Sequence, residues 1–440
     1  MNFLDSVREA GVVGAGGAGF PTHVKLAGKA EFILLNGAEC EPLLRVDQQL
    51  MAIYPDEIIQ GFAAAGRQVE AKKALLCLKG KHKKVIAILE ERIQALGLGD
   101  YVEVRELPDI YPAGDEQVLV HEVTGRIVPE GGIPLQVGCV VVNSETALNM
   151  FKADKGEPVI DTWLTLAGDI PKRLTLKVPV GTPILDVLKC SGIEDFTPYT
   201  VIDGGPMMGP ILNDLSGFVS KTSKGFIILK KDHPLIRRKS TPVEAANRVN
   251  KAACAQCRMC TDLCPRYLMG HSIEPHKMMR LVNYGLSDGK ERSQLCCSCN
   301  LCELFSCPQG LHPRFANDAL KAQCAEEKIR YTPEEKTYEP RENREFRLIP
   351  SKRLMARLGI LSFEKPAPVD RLACSPNRVC IPRKPHVGAP VEPMVKVGDR
   401  VIEGQMIGNV AEGNLGAPVH ASISGTVEEI ETTFIAIRKD

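Results

Sequence analysis

CAQCRMCTDLCP at residues 254–265 and CCSCNLCELFSCP at residues 296–308 are the two stretches around which the rest of this chain is organised. The first has the spacing C-x2-C-x2-C-x3-C-P, which is typical of bacterial ferredoxins that bind [4Fe–4S] clusters. The second repeats this spacing with one extra residue before its last cysteine, and a proline again follows. The two runs predict an α-helical ferredoxin domain with two [4Fe–4S] clusters over residues 245–325.

The spacing also predicts which cysteines share a cluster. Three thiolates on one short loop can each bind one iron of a cubic cluster, but the loop cannot reach the fourth iron. In two-cluster ferredoxins the last cysteine of each run therefore binds the other cluster. This rule assigns Cys254, Cys257, Cys260 and Cys307 to the first cluster, and Cys296, Cys299, Cys302 and Cys264 to the second. Structural zinc is the alternative, but two complete runs that end in Cys-Pro argue against it. We expect Cys297 to be a bystander thiol.

The composition favours a multidomain cytoplasmic protein. The 440 residues suggest about three domains, and a hydrophobic content of 44% is enough for packed cores. A formal net charge of +1 provides no general attraction to nucleic acid or to a membrane surface. The N-terminus lacks the pattern of a signal peptide, and no apolar run approaches the roughly 20 residues of a membrane span. We therefore expect no nucleic-acid partner and no direct membrane insertion.

Residues 1–158 alternate between strand and helix patterns, which predicts a doubly wound, Rossmann-like α/β domain. The predicted strands lie at residues 31–36, 73–78, 101–106 and 138–143. The glycine-rich segment VVGAGGAGFPTHVK, residues 12–25, precedes the first strand and lets backbone N–H groups approach a phosphate. An ordinary tight turn is the alternative for this segment.

Polar residues follow the predicted strands at the edge where open α/β sheets bind ligands. Asn36, Glu39 and Glu41 come after the first strand, and Asn143 ends the last one. Asp115 and Glu116 begin a predicted helix, where acidic residues are also common simply because they are solvated and favour the helix dipole.

Four segments resemble the FMN- and NADH-binding domain of the complex I flavoprotein subunit: GAGGAGFPTHVK (14–25), NGAECEP (36–42), YPAGDE (111–116) and VVNSETAL (141–148). The resemblance implies an FMN site formed by Gly14, Gly16, Gly17, Gly19, Lys25, Asn36, Asp115, Glu116 and Asn143. It also implies that Phe20 lies against the nicotinamide nucleotide, with Glu39 and Glu41 nearby. The chain differs at one position, because Val142 replaces the first of two adjacent asparagines in the complex I motif.

Residues 159–232 read as strand, strand, short helix and strand, which resembles a β-grasp module of the SLBB type. Its GGPMMG segment, residues 204–209, is expected to be a plain glycine turn rather than a ligand contact. Residues 221–258 carry many lysines and arginines. We expect them to form a solvated linker; a surface for an acidic partner, or one that offsets the charge of reduced clusters, is the alternative.

The C-terminal part is expected to be a linker followed by a small β domain. Residues 326–378 are charged and proline-bearing, with a short basic helix in SKRLMARLGI. Residues 379–440 alternate short strands with glycine turns, which predicts an all-β barrel sandwich. It resembles lipoyl and biotinyl carrier domains, but the matching turn, NLGAPVHAS, has no lysine. A docking or packing role is therefore the better prediction. A metal site at Cys374 and Cys380 is doubtful.

The whole chain resembles the cobalamin reductases of propanediol-utilising bacterial microcompartments, in phrases such as AECEPLLRVDQQL, GGPMMG, CRMCTDLCPR and LGAPVHASI. The related RnfC proteins of the Rnf complex have the sandwich at the N-terminus, whereas here it is C-terminal. The resemblance implies electron transfer from NADH through FMN and two [4Fe–4S] clusters to a corrinoid. The product would be cob(I)alamin for an adenosyltransferase, inside a microcompartment with its shell proteins as partners.

Two other hypotheses remain open from the sequence. The chain could be the peripheral NADH-oxidising component of an Rnf-type ferredoxin:NAD oxidoreductase. It could also be a non-enzymatic electron relay that holds clusters without binding NADH. Flavin in the purified protein that bleaches on addition of NADH would exclude the relay.

Overall fold

The computed structural model describes residues 2–334 and 337–440. Its first elements are α1 (Phe3–Glu9), α2 (Thr22–Lys25), β1 (Phe32–Gly37), α3 (Val46–Ile53), α4 (Pro55–Gln68), β2 (Lys73–Lys79), α5 (Lys83–Ala95), β3 (Val102–Leu107), β4 (Ile110–Tyr111), α6 (Glu116–Thr124), β5 (Cys139–Asn143) and α7 (Ser144–Asp154). Four strands form a parallel sheet in the order β3-β2-β1-β5. All four strands predicted for the first domain are confirmed.

This sheet forms because its strands are apolar on both faces. β1 and β5 are almost entirely buried, as expected for parallel strands that helices cover on both sides. α4 begins at Pro55, where a missing N–H costs nothing. α6 begins because Asp115 Oδ1 accepts the N–H groups of Gln117 and Val118, each at 3.1 Å. It ends at Gly125, which has a φ of +71°.

The second part is a mixed five-stranded sheet with one helix. Its elements are β6 (Asp161–Gly168), β7 (Leu174–Pro179), α8 (Ile184–Lys189), β8 (Tyr199–Asp203) and β9 (Gly225–Lys230), joined by the later strand Val369–Asp370. β6 pairs with β7 antiparallel and with β9 parallel, so β9 lies inside the sheet between β6 and β8. The predicted order of strand, strand, helix and strand is confirmed, and β9 adds a strand that the sequence pattern did not reveal.

The expectation of a solvated linker over residues 221–258 is wrong. β9 lies inside this range and is buried except at Lys230, and Lys221 has only 3% of its surface exposed. The helices α9 (Pro234–Lys239) and α10 (Val243–Ala253) follow. The count of basic residues misled because it averaged over a buried apolar strand and two helices that each bury part of their surface.

Short helices surround the two cysteine runs. They are α11 (Met259–Asp262), α12 (Pro265–Leu268), α13 (Pro275–Tyr284) and α14 (Pro313–Glu326). α13 is the helix predicted between the runs, and it buries Met278, Met279 and Leu281 against its neighbours. Every helix within residues 2–334 and 337–440 is too short or too polar to span a lipid bilayer.

The connecting segment is tied to earlier parts of the chain. β10 (Ile349–Pro350) pairs with β4, α15 (Ser351–Leu358) is the predicted basic helix, and β11 (Val369–Asp370) pairs with β7. The sandwich contains β12 (Arg378–Pro382), β13 (Glu392–Pro393), β14 (Arg400–Val401), β15 (Met406–Asn409), β16 (Val419–His420), β17 (Gly425–Ile430) and β18 (Phe434–Arg438). Its antiparallel sheets have the orders β12-β18-β17-β14 and β13-β15-β16, and they enclose one apolar core.

Lys221 joins the first domain to the sandwich from a buried position. Its ammonium group donates hydrogen bonds to the carbonyl oxygens of Gly11, at 2.7 Å, and Pro418, at 2.9 Å. Desolvation lowers the pKa of Lys221 to about 7. Burial, and then the Lys221 charge, lower the pKa of His420 beside it. This junction therefore favours a neutral lysine.

Close packing of α4 on α7 should make Gly61→Ala destabilising. A Cβ at Gly61 would lie 2.2 Å from the Ala147 carbonyl oxygen. Alanine favours a helix over glycine by about 1 kcal/mol, but here we expect the free energy of unfolding to fall by about 1–3 kcal/mol. The fluorescence of Trp163, the single tryptophan, reports on this core during urea unfolding. Gln60→Ala, on the exposed side of α4, is the control; equal stability of both variants would contradict the close contact.

The buried Lys221 predicts a pH-dependent stability that Lys221→Met should reduce. Between about pH 7 and 10 the unfolded lysine keeps its proton while the folded one releases it, so the free energy of unfolding rises with pH. The contribution approaches about 1.4 kcal/mol per pH unit. Urea unfolding across this range, followed by circular dichroism, measures the slopes. Lys189→Met, at an exposed lysine, should keep the native slope. Identical slopes for all three proteins would show that Lys221 is not buried in its neutral form.

Candidate functional site

The carboxyl ends of β1 and β5 open onto a cavity of about 420 Å³. Open α/β sheets bind ligands at this edge, and the volume is typical of a small-molecule site. Seven of the predicted residues line it: Gly16, Gly17, Asn36, Glu39, Glu41, Asp115 and Asn143. Asn36 is held in place because its Nδ2 donates to the Gly114 carbonyl oxygen at 2.9 Å. Asn143 precedes α7 but makes no capping hydrogen bond, so its amide is available to a ligand.

Five predicted residues lie outside the wall of this cavity: Gly14, Gly19, Phe20, Lys25 and Glu116. The Gly14 N–H donates to the Phe20 carbonyl oxygen at 2.9 Å, which closes the glycine loop. Lys25 Nζ donates to Glu116 Oε1, at 3.1 Å, and to the Val141 carbonyl oxygen, at 3.0 Å. The two predicted charges therefore pair with each other beside β5.

Burial shifts the acidic side chains of the cavity towards their neutral forms. Desolvation, and then the charge of Asp47, raise the pKa of Glu39 to about 7. The backbone N–H of Asp47 and the side chain of Gln48, each at 3.0 Å from Glu39, offset part of this rise. Desolvation also raises the pKa of Glu41 and of Asp203. Near neutral pH the cavity is therefore less negative than its number of carboxyl groups suggests.

Lys224 places an ammonium group in the cavity wall beside the glycine loop. It pairs with Glu145, whose carboxylate also accepts the Trp163 N–H at 3.1 Å. A Cβ at Gly16 would lie 2.8 Å from Lys224 Cε, whereas a Cβ at Gly17 would meet nothing within 4 Å. Glycine is therefore required at position 16 for the loop to approach Lys224, and the space beside Gly17 is open to a ligand.

Sequence reasoning missed part of the cavity wall. The loop Gly204–Gly209, predicted to be a plain turn, contributes several residues to the lining, and so does Asp203 before it. Cys297, predicted to be a bystander thiol, lines the cavity next to Cys299. The available signal was the density of glycines after a strand that ends in an acidic residue, which is the same kind of pattern that marked the first glycine loop.

Both cysteine runs turn in the same way. The residues on either side of the second cysteine have positive φ angles: 53° at Gln256 and 66° at Arg258 in the first run, and 63° at Ser298 and 64° at Asn300 in the second. This conformation costs a non-glycine residue roughly 1–2 kcal/mol, so its repetition indicates a shared requirement of the loop. Such turns direct N–H groups towards the sulfur atoms, as the Ser298 N–H shows at 3.4 Å from Cys296 Sγ.

The extra residue of the second run is accommodated by a π-helical turn. Before Cys264 the chain forms the α-helical turn α11, whereas Cys302–Ser306 forms a π-helix before Cys307. A π-helical turn holds one more residue than an α-helical turn. The insertion therefore lengthens the segment without unwinding it, and Cys264 and Cys307 are both buried at its end.

The structure brings the run cysteines together across the two runs. Burial, and then the charges of Cys307, Cys254 and Cys257, raise the pKa of Cys260 to about 12. Cys264 is close enough to Cys296 for their charges to interact, and Cys302 interacts with both. Within residues 2–334 and 337–440 no three ligand side chains converge as they do on a single metal ion. A cubic cluster does not need such convergence, because each thiolate binds a different iron.

A buried ion pair joins the cavity to the second group of cysteines. Arg266 follows Cys264-Pro265 and donates from Nη1 and Nη2 to the two Asp115 carboxylate oxygens, at 2.7 and 2.9 Å. The Tyr111 hydroxyl, also buried, donates to the Cys299 carbonyl oxygen at 2.6 Å. The cavity and the second cysteine run are therefore held together as two sides of one wall.

The site fits the redox groups that the sequence implies. The open space at Gly17, the free Asn143 amide and the Lys224 ammonium group suit a phosphate-bearing polar ring system such as FMN. Eight thiols in two mixed groups suit iron–sulfur clusters. Fold and site together define a flavin- and iron–sulfur-dependent electron-transfer protein.

Comparison with known proteins gives the family. Residues 7–152 match the Nuo51 FMN-binding domain, residues 253–312 a 4Fe-4S dicluster domain, and residues 363–440 the RnfC barrel sandwich hybrid domain. The chain is 40% identical to Cobalamin reductase PduS of Citrobacter freundii and to its counterpart in Salmonella typhimurium, over 98% of this chain and 95% of each relative. The chain belongs to the PduS cobalamin reductase family.

More distant relatives share parts of the chain. The RnfC-type component of a proton-translocating ferredoxin:NAD(+) oxidoreductase complex from Clostridium ljungdahlii is 34% identical over 60% of this chain and 56% of that protein. The H2-reduced NAD+-reducing [NiFe]-hydrogenase matches with a TM-score of 0.50 and 20% identity, over 76% of this chain and 68% of the hydrogenase chain, and so shares the fold. The predicted multidomain α/β architecture, FMN-binding domain, 4Fe–4S domain and barrel sandwich are confirmed.

Removal of one partner from the Asp115–Arg266 pair should be costly. We expect Arg266→Met to lower the free energy of unfolding by about 3–5 kcal/mol, because it leaves a buried carboxylate without its cation. The double variant Arg266→Met with Asp115→Asn should recover part of this loss, since asparagine is neutral and still caps α6. Urea unfolding measures all three. Arg400→Met, at an exposed pair, is the control, and a cost no larger than that of the control would contradict the role of the pair.

Proposed function

We propose that this chain is an NADH-dependent cobalamin reductase that uses FMN and [4Fe–4S] clusters to convert cob(III)alamin or cob(II)alamin to cob(I)alamin. FMN, when bound, accepts the two electrons of a hydride together and releases them one at a time. The protein supplies binding, orientation and exclusion of water. Near full-length identity to two relatives named as cobalamin reductases supports the acceptor.

The observation that carries this proposal is the wall shared by the cavity and the second cysteine run. Gly17, Asn36 and Asn143, which belong to the flavin-type motifs, line the same space as Cys297 and Cys299. Groups that suit a flavin and groups that suit a cluster therefore border one cavity, with no domain movement needed to bring them together.

The roles of individual residues follow from this proposal. FMN is held by Gly14, Gly16, Gly17, Gly19, Lys25, Asn36, Asp115, Glu116 and Asn143, and NADH lies near Phe20, Glu39 and Glu41. One cluster is bound by Cys254, Cys257, Cys260 and Cys307, and the other by Cys296, Cys299, Cys302 and Cys264. The interaction of Cys260 with Cys307 and of Cys264 with Cys296 supports this crossed arrangement.

The domain boundaries are proposed as residues 1–158, 159–232, 245–325 and 379–440, with 326–378 as connection. We assign residues 159–232 to the SLBB type of β-grasp fold. A mixed sheet packed with the single short helix α8 supports that assignment.

An anaerobic spectroscopic titration tests the function. The reconstituted protein is mixed with NADH while flavin and iron–sulfur absorbance are recorded, and cob(II)alamin is then added. We expect bleaching by NADH, followed by the cob(I)alamin spectrum. Bleaching without corrinoid reduction would favour the Rnf-type alternative, which the similarity to the Clostridium ljungdahlii protein also motivates. Absence of bleaching would contradict the assignment of the flavin and NADH site.

The family also suggests where the product goes. We propose that cob(I)alamin passes to an adenosyltransferase inside a cytoplasmic microcompartment, with shell proteins as further partners. Co-fractionation of the tagged chain with purified shells, compared with a tagged cytoplasmic enzyme, tests this location.

Two adjacent cysteines should differ sharply in their importance for the clusters. Cys299→Ala is expected to lose about half of the iron, because it removes a ligand of one of two clusters. Cys297→Ala is expected to retain the native iron content. Iron and acid-labile sulfide per chain, together with electron paramagnetic resonance (EPR) of the dithionite-reduced protein, measure the difference. Equal losses in the two variants would show that Cys297 is a ligand.

A further inference from the structure

The loop Gly204–Gly209 connects the cavity wall to the second cysteine run, although it belongs to neither motif. On one side it contacts Glu41. The Met207 N–H donates to Glu41 Oε2 and the Met208 N–H donates to Glu41 Oε1, both at 2.9 Å. Two consecutive N–H groups thus bind both oxygens of one carboxylate, an arrangement that fixes its orientation.

On its other side the same loop contacts the cluster-binding part. The Met207 carbonyl oxygen accepts a hydrogen bond from Asn300 Nδ2, at 2.9 Å, and another from Lys239 Nζ, at 3.1 Å. Asn300 directly follows Cys299, and Lys239 ends α9. The peptide groups before and after Met207 therefore join the flavin-type domain to the second run.

The glycines of this loop are explained by space. A Cβ at Gly205 would lie 2.1 Å from Glu41 Oε2 and 2.4 Å from Glu41 Cδ. A Cβ at Gly209 would lie 2.4 Å from the Asp203 carbonyl oxygen. Gly205 does not have a left-handed φ, so its glycine is needed for the approach to Glu41 and not for a turn. A plain turn would satisfy its polar groups internally, whereas this one directs them to other domains.

We propose that Gly204–Gly209 is a positioning element that sets the separation between the flavin cavity and the cluster site on the second run, by holding Glu41 and Asn300 at fixed places. The proposal rests on the proposed function for the identity of the redox groups. Transfer between two sites depends steeply on their separation and orientation. Displacement of the loop should therefore slow reduction of the clusters more than reduction of the flavin.

A first experiment reads the contact without any turnover. Asn300→Gly removes the donor to Met207 and suits the backbone, because Asn300 has a φ of 64°. Hydrogen–deuterium exchange of the peptide that contains Met207 and Met208 should become about tenfold faster in this variant if the loop is loosened by about 1.4 kcal/mol. Asn343→Gly is a matched control, since Asn343 has the same φ of 64° at a site outside the loop.

A second experiment separates the two electron-transfer steps. Rapid mixing with NADH under anaerobic conditions gives the rate of flavin bleaching, and rapid-freeze EPR gives the rate of cluster reduction. Asn300→Gly should keep the bleaching rate and the native flavin and iron content, while cluster reduction slows by about tenfold or more. The EPR spectrum after dithionite should be unchanged, which excludes simple damage to the cluster.

Gly205→Ala approaches the same loop from the side of Glu41. If both substitutions act by displacing the loop, the double variant should be no slower than the slower single variant. Gly217→Ala, in the same part of the chain, is the control, because its Cβ meets only the flexible tip of Ile184. Lys239→Met removes the other donor to Met207 and replaces Asn300→Gly if that variant does not fold.

The outcomes are distinguishable. Native exchange and native cluster reduction in Asn300→Gly, as in Asn343→Gly, would overturn the positioning role while leaving the proposed function intact. Absence of NADH-dependent bleaching in the unmodified chain would overturn the proposed function and the electron-transfer role of the loop with it. Faster exchange with slower cluster reduction in Asn300→Gly alone supports the proposal.

Discussion

The buried pair between Asp115 and Arg266 is the interaction on which the arrangement of this protein depends. Both side chains have lost most of their water, so each charge is tolerable only while the other stays in contact. The bidentate geometry leaves little freedom in the angle between the two groups. Asp115 also begins α6, and Arg266 follows a predicted cluster ligand. One interaction thus fixes the flavin-type cavity against the cysteine runs.

The same burial shapes the chemistry of the cavity. Desolvation raises the pKa of Glu39 to about 7, so the charge of the wall changes close to neutral pH. Lys224 keeps its partner Glu145 in a part of the wall that contains the glycine loop. A cavity with few permanently charged acids and one paired cation can accept an anionic cofactor at moderate cost. Exclusion of water from it also limits side reactions of reduced groups.

Local patterns in the sequence predicted the elements and the motifs, but not the contacts between them. The spacing of the cysteines identified the cluster-binding domain, and the strand pattern located β1, β2, β3 and β5. The Glu41–Met207 contact joins residues 166 positions apart, and the Asp115–Arg266 pair spans 151 positions. Such pairings have no periodicity to detect. The charge count over residues 221–258 failed for a related reason, because it could not show that Lys221 would be buried against two carbonyl groups.

The C-terminal sandwich shows how a carrier-like fold can serve without carrier chemistry. Its Val387 N–H donates to the Gly19 carbonyl oxygen at 3.3 Å, and its Pro418 shares the Lys221 ammonium group with Gly11. Gly11 and Gly19 lie at the two ends of the glycine loop that lines the cavity. The sandwich therefore supports this loop from outside, while Gly204–Gly209 and the second cysteine run border the cavity from other directions. Because these contacts depend on backbone groups, the position of the sandwich in space matters more than its position along the chain.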